Sequence, residues 1–180
     1  MNQKKNANNR RYAYSSIILL GIVSLVGDVI YEGARGILPS YVEFLGASAL
    51  LTGLIGGIDL LGNAARLVSG FLADKTRAYW LFIFLGYGLV VAMPLLGVFT
   101  GLSMIIILVS LERLGKALRT PSRDTVLSVI SKEVGTGKAF GIHEFLDQIG
   151  AITGPLIVAA LMFYSNDNYR YTYSFLFLPF

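Results

Sequence analysis

Long apolar runs separated by short polar breaks dominate this chain. A membrane-spanning helix needs about 20 mostly apolar residues, and runs of that kind extend over about 12–38, 48–72, 79–99, 102–118 and 139–164. A sixth begins near 169 and stops at Phe180; a dozen residues rise about 18 Å against a hydrocarbon core of about 30 Å, so this span is short or truncated. Pro39, and then Glu43 to Gly46, close the first run; Asp74, Lys75 and Arg77 close the second; Thr100-Gly101 is a tight turn after the third, in which Pro94 predicts a kink. The polar, basic stretch at about 119–138 separates the fourth run from the fifth, and its pattern over Thr125 to Ile130 suits a helix lying along the membrane surface. The pattern therefore predicts an all-α, polytopic membrane helix bundle: a basic flank at 1–11 and a six-helix transmembrane domain at 12–180.

Composition supports lipid as the solvent. Charged residues make up 14% of the chain, well under the roughly 25% of soluble domains, too few to cover a water-facing surface. Lys4, Lys5, Arg10 and Arg11 precede the first run, as a basic flank does ahead of a membrane helix; the flank is a poor match to a nucleic-acid-binding arm, and no nucleic-acid partner is expected. Basic residues recur at Lys75, Arg77, Arg119, Arg123, Lys132 and Lys138, all in alternate connections, while the opposite connections carry only Arg170. The positive-inside rule then predicts a cytoplasmic N-terminus and a multi-pass protein of the plasma (cytoplasmic) membrane, the inner membrane of a cell with two. The first apolar run extends past signal-peptide length into charges, without a small-residue cleavage site. The chain has no cysteine, which excludes disulfides and thiol chemistry.

The candidate chemistry lies in ionisable residues at membrane depth, each costing about 2.5–3.5 kcal/mol at the centre of a helix on insertion scales. Asp28, Glu32 and Arg35 share one face of the first helix, with Tyr31 beside them. Asp59, Asn63 and Arg66 repeat that spacing in the second. Glu112 and Arg113 are mid-helix in the fourth, with Lys116 a turn further on. In the fifth, His143, Asp147 and Ala151 form a stripe flanked by Glu144 and Gln148. Such stripes must face each other or water. They form either interhelical salt bridges that hold the bundle together or a polar cavity that binds a solute and moves protons. His143, the single histidine, suits a proton relay. Its i, i+4 spacing to Asp147 is also compatible with a metal, but one histidine with carboxylates makes a poor metal site, and neither metal nor cofactor is expected. There is no phosphate-binding loop, no nucleophile elbow and no zinc-hydrolase motif, so the sequence does not predict an enzyme.

Glycine is frequent, at 20 residues. Gly53 and Gly57, and again Gly150 and Gly154 followed by Pro155, are small-xxx-small pairs suited to close helix packing. Asp59 to Gly62 echoes Asp147 to Gly150, and Pro39-Ser40 echoes Pro121-Ser122, as a 3+3 inverted repeat would require.

The segment Gly70-Phe-Leu72-Ala73-Asp74-Lys75-Thr-Arg77 resembles the signature of the major facilitator superfamily between its second and third helices, with Arg77 standing where glycine is usual. Arg113 with Gly115 and Ala117 resembles the family's fourth-helix arginine motif, and Gly150 to Pro155 is similar to its fifth-helix motif of proton antiporters. The resemblance covers the chain as the six-helix N-terminal half, in a prokaryotic branch. It implies a symporter or antiporter working by alternating access, its partners being a small-molecule solute, protons, the lipid bilayer and a C-terminal six-helix half, either the same gene product or a second copy. It implies a substrate and proton pathway of Asp28, Glu32, Arg35, Asp59, Arg66, Glu112, Arg113, His143, Glu144 and Asp147. It further implies a cytoplasmic gate of Gly70, Asp74, Lys75, Arg77, Arg119 and Arg123, with Asp74 paired to Arg119 or Arg123, and a fifth helix shaped for rocking by Gly150, Gly154 and Pro155. Two alternatives stay open: a homodimer of halves, and a non-transporting membrane interaction protein with a structural charge network.

Overall fold

A computed structural model describes the backbone of residues 2–180 and the side chains of residues 8–180; the side chains of Lys4 and Lys5 lie outside the described residues. The chain is an all-α bundle, with no strand among the described residues. Its helices are α1 (Asn2–Phe44), α2 (Ala49–Thr76), α3 (Tyr79–Gly88), α4 (Ala92–Leu95), α5 (Leu102–Ile130), α6 (Thr136–Tyr164) and α7 (Tyr169–Phe175). The helices α1, α2 and α6 are long and apolar enough to cross a membrane. Large apolar side chains such as Leu60, Leu67, Phe71, Phe84, Leu156 and Phe163 point outward, an exterior that water would not tolerate and hydrocarbon would.

Helix α1 packs along α6, and α5 lies between α2 and α3. In terms of membrane spans, the first packs on the fifth and the fourth on the second. Exchanging spans one to three for spans four to six converts one pairing into the other, which is the relation the Asp-x-x-Gly and Pro-Ser echoes predict. The α1–α6 seam is close because glycines line it. A Cβ on Gly154 would stand 2.5 Å from the carbonyl oxygen of Val29, and one on Gly33 would stand 3.0 Å from that of Gly154. Gly86 of α3 and Gly115 of α5 form a second such seam, each Cβ falling within 2.8 Å of the other's carbonyl oxygen. By contrast, Gly53 and Gly57 meet nothing within 4 Å; that pair lies on the open face of α2 and closes no seam among the described residues.

Three of the departures from the sequence reading involve a proline. Pro39 does not end the first helix, which runs on to Phe44. Its last turn is held by Tyr41, fully buried, whose hydroxyl donates to the carbonyl oxygens of Leu96 at 3.1 Å and Phe99 at 3.4 Å. The fourth helix likewise does not stop near 118. It passes through Pro121 to Ile130, so Thr125 to Ile130 is the end of α5 and not a separate surface helix. In both cases groups from neighbouring helices hold the segment around the proline, which is how proline persists in membrane helices. The third span breaks into α3, a 3-10 turn at Leu89–Val91 and α4, so the disruption expected at Pro94 spreads one turn upstream, to the carbonyls a proline cannot serve.

Candidate functional site

The charged stripes of α1, α2 and α5 converge. Asp59 of α2 sits between two guanidiniums, with its Oδ1 2.6 Å from Arg113 Nε and its Oδ2 3.0 Å from Arg35 Nη2. The Tyr31 hydroxyl accepts from Arg113 and, at 3.4 Å, from Arg35. The Tyr31 ring is the hub of the cluster: Lys116 Nζ lies 3.8 Å from its centroid, and the Arg113 guanidinium 5.1 Å, a cation–π arrangement. Glu32 lies 3.7 Å from Lys116 Nζ and 3.9 Å from Arg35 Nη1. Glu112, wholly buried, is 3.2 Å from Arg113 Nη1 and 3.7 Å from Arg119 Nη2. Burial decides which members can move. Arg113 and Glu112 are enclosed, whereas the Arg35 side chain is 47% exposed.

These groups floor a cleft of about 260 Å³ between α1, α2 and α5. Its charged lining is Arg35, Asp59 and Arg113, and its walls toward the α1–α2 loop include Leu38, Val42 and Ile55.

A second cluster lies nearer the N-terminal end of the bundle. Arg123 Nη1 donates to Ser24 Oγ at 2.9 Å and to Asp147 Oδ2 at 3.3 Å, while its Nε donates to Asp124 at 3.0 Å. His143 Nδ1 is 3.9 Å from Asp147 Oδ2, and its Nε2 is buried without a partner. Between the clusters, Asp28 forms no ion pair and no side-chain hydrogen bond among the described residues. Among the described residues no three His, Cys, Asp or Glu side chains group to hold a metal.

Of the residues singled out in the sequence, Glu32, Arg35, Asp59, Glu112 and Arg113 meet in the first cluster, and His143 and Asp147 in the second. Glu144 faces outward and accepts from Gln148 at 2.9 Å. Arg66 Nε is buried without a partner. The expected pairing of Asp74 with Arg119 or Arg123 does not occur. Arg119 turns inward to Glu112 and donates to the Gly86 carbonyl at 3.3 Å, Arg123 turns to Asp147, and Asp74 accepts instead from the Tyr79 hydroxyl at 3.1 Å. The cause is the continuation of α5: residues 119 and 123 are helical and share its buried face with Glu112, so they cannot swing to the α2–α3 loop. Gly150 and Gly154 sit in the α1–α6 seam. Lys116, which the sequence places a turn beyond Arg113 on the charged face of α5, links the cluster to Glu32; Ser24, which holds Arg123, carries no signal of its own in the sequence.

The sequence matches the family profile described as Major Facilitator Superfamily over residues 14–180. It is 42% identical over 172 residues to an uncharacterized protein of Mycobacterium tuberculosis, covering 93% of this chain and 41% of that protein. An uncharacterized protein of Mycobacterium bovis aligns with the same figures. An uncharacterized MFS-type transporter of the archaeon Methanocaldococcus jannaschii is 35% identical over 174 residues, covering 94% of this chain and 43% of the relative. The chain thus spans about two fifths of the length of these relatives.

Proposed function

The chain belongs to the major facilitator superfamily, a family of membrane transporters, and from that premise we propose that it is the N-terminal six-helix half of a secondary transporter that carries a small molecule by alternating access, coupled to protons. The observation behind this reading is Asp59 shared between Arg35 and Arg113 at the floor of a cleft. Charges this deep are costly, and a bundle that needed them only as struts would enclose them fully. Here the buried half of the cluster, Glu112 with Arg113 and Arg119, fixes the geometry, and the half-exposed Arg35 meets the cleft.

Asp28, Glu32, Asp147 and His143 handle the protons in this reading. Asp28 is foremost, because a carboxyl without a cation partner takes up and releases a proton without breaking an ion pair. Glu32 and Asp147 are each tied to a cation. The remaining half of the transporter docks on α2, whose exposed Leu60, Leu61, Leu67 and Phe71 and open glycines at 53, 56 and 57 leave a smooth apolar face. Asp74, exposed and among the described residues held only by Tyr79, is then available to gate against that half. The greater length of the relatives favours a second half in the same polypeptide over a second copy. The N-terminus is cytoplasmic and the bilayer is the plasma membrane, on the charge asymmetry of the connections.

The test is uptake into proteoliposomes containing the full-length protein, across a panel of small solutes, with an imposed pH gradient and after its collapse. Uptake above protein-free vesicles that falls when the gradient is removed is the expected result. Flux indifferent to the gradient removes the proton coupling, and no flux of any solute removes the transport reading.

A further inference from the structure

The transport reading leaves the solute open; resting on it, we propose that the cleft between α1, α2 and α5 takes a small organic anion, with its carboxylate or phosphate on Arg35 and its apolar body toward the α1–α2 loop. The balance of charge and donors in the cleft sets the sign of the solute. Asp59 is the only acid lining the cleft, and both of its oxygens already face guanidiniums, at 2.6 Å and 3.0 Å. A cationic solute would therefore meet a carboxylate whose charge is already offset by two guanidiniums. Donors are in surplus. A guanidinium carries five N–H groups; Arg35 directs Nη2 to Asp59 and Nη1 to Tyr31 and, at 3.9 Å, Glu32, and its half-exposed face keeps donors in reserve. The lining of the cleft carries two positive charges and one negative. Arg113 cannot serve as the receiving group, because Glu112, Tyr31 and Asp59 enclose it.

The rest of the lining sets the solute's shape. Leu38, Pro39 and Val42 of α1 face Ile55 and Gly56 of α2, with Thr52 as the only polar wall residue. A volume of about 260 Å³ falls just below the usual range of small-molecule sites, roughly 300–1,000 Å³. An anionic head on an apolar body of modest size fits this arrangement. Binding moves Arg35 from Asp59 toward the anion; Asp59 keeps Arg113, so no bare carboxylate is left behind.

The probes are benzoate, hexanoate and phenyl phosphate, set against the cations benzylammonium and hexylammonium, on the purified full-length protein. Thermal shift gives the binding and proteoliposome uptake the transport. At least one anion is expected to raise the melting temperature and to be taken up, while the cations do neither. Arg35→Gln should weaken the response to that anion about tenfold, the loss of one charge-assisted contact, and Arg35→Lys should recover part of it. Size-exclusion profiles establish that both variants fold. Uptake or stabilisation by the cations, an anion response unchanged in Arg35→Gln, or transport confined to solutes other than anions overturns the anion assignment and leaves the transport reading standing. No uptake of any solute by the full-length protein overturns both.

Discussion

The hydroxyl of Ser69 donates to the backbone carbonyl of Ala117 at 2.5 Å. Ala117 is four residues before Pro121, so its carbonyl is the one that the proline, lacking an N–H, leaves without a helical partner. A side chain of α2 thus completes the backbone of α5 at the point where the sequence suggested that the helix should end. Replacing Ser69 by Ala strands a buried carbonyl, and the expected cost is about 1–3 kcal/mol. Thermal unfolding of the full-length protein measures it. The same substitution made with Pro121→Ala should cost far less, because residue 121 then supplies its own N–H; an equal loss in both backgrounds would refute the assignment.

The two ends of the charge cluster should respond differently to neutralisation. Glu112 is fully enclosed and faces two arginines, so Glu112→Gln leaves buried positive charge uncompensated, at about 3–5 kcal/mol. Arg35 is half exposed and solvent screens its pair with Asp59, so Arg35→Gln should cost under about 1 kcal/mol. Melting curves of the two variants should therefore separate clearly. Equal destabilisation would mean that Arg35 is a strut like the others, and would take support from the cleft reading as well.

Much of this architecture was legible in the sequence because hydrocarbon imposes simple rules. Apolar runs of bilayer length gave the spans, and the shared faces of Asp28-Glu32-Arg35 and Asp59-Asn63-Arg66 indicated convergence, which Glu32, Arg35 and Asp59 realise. What one chain's pattern cannot encode is the answer a neighbouring helix gives. Pro39 and Pro121 read locally as stops; Tyr41, reaching to Leu96, and Ser69, reaching to Ala117, show that they are not. Gly53-Gly57 and Gly150-Gly154 have the same spacing, yet the first pair is open and the second is interlocked with α1. The length of α5 turns Arg119 and Arg123 inward, to Glu112 and Asp147, away from the Asp74 pairing that the sequence suggested.

That difference between the glycine pairs is itself testable. A methyl on Gly154 would collide with the Val29 backbone at 2.5 Å, and backbone has little room to yield. Gly154→Ala should destabilise by about 1–3 kcal/mol, as over-packing does. Gly53→Ala and Gly57→Ala meet open space and should leave helix packing within this half intact. If the second half docks on α2, bulkier replacements there, such as Gly57→Leu, should depress uptake while leaving the expression and folding of residues 1–180 unaffected. Full uptake by Gly57→Leu would place the second half elsewhere.

Arg77 caps α2 in the left-handed conformation, at φ 55°, with its N–H donating to the Ala73 carbonyl at 2.7 Å. A residue with a Cβ holds that conformation at a cost of about 1–2 kcal/mol, which glycine avoids. Arg77→Gly should therefore raise the melting temperature. If its guanidinium also serves at the gate, the stabilised variant should transport more slowly, so that stability and rate move in opposite directions. A variant that is less stable would show that Arg77 makes contacts worth more than the relief of its backbone.

Proton coupling gives the most discriminating prediction. Asp28 stands between the two charge clusters, and the Cβ of a residue at position 150 would lie 3.1 Å from its own Cβ, so it sits at the α1–α6 seam. The charged groups about it are Glu32 on α1, Lys116 and Arg119 on α5 and Asp147 on α6, and it forms an ion pair with none of them among the described residues. Asn at this position matches the shape of a protonated carboxyl and cannot ionise. Asp28→Asn should therefore behave as a transporter with its proton permanently in place. Uptake driven by a pH gradient should fall by about tenfold, the rate equivalent of roughly 1.4 kcal/mol. Counterflow exchange of solute, which needs no net proton movement, should persist. Loss of both activities in a well-folded variant would make Asp28 a solute ligand, and gradient-driven uptake at the unmodified rate would exclude it from the proton path and leave Glu32, His143 and Asp147 to carry the role.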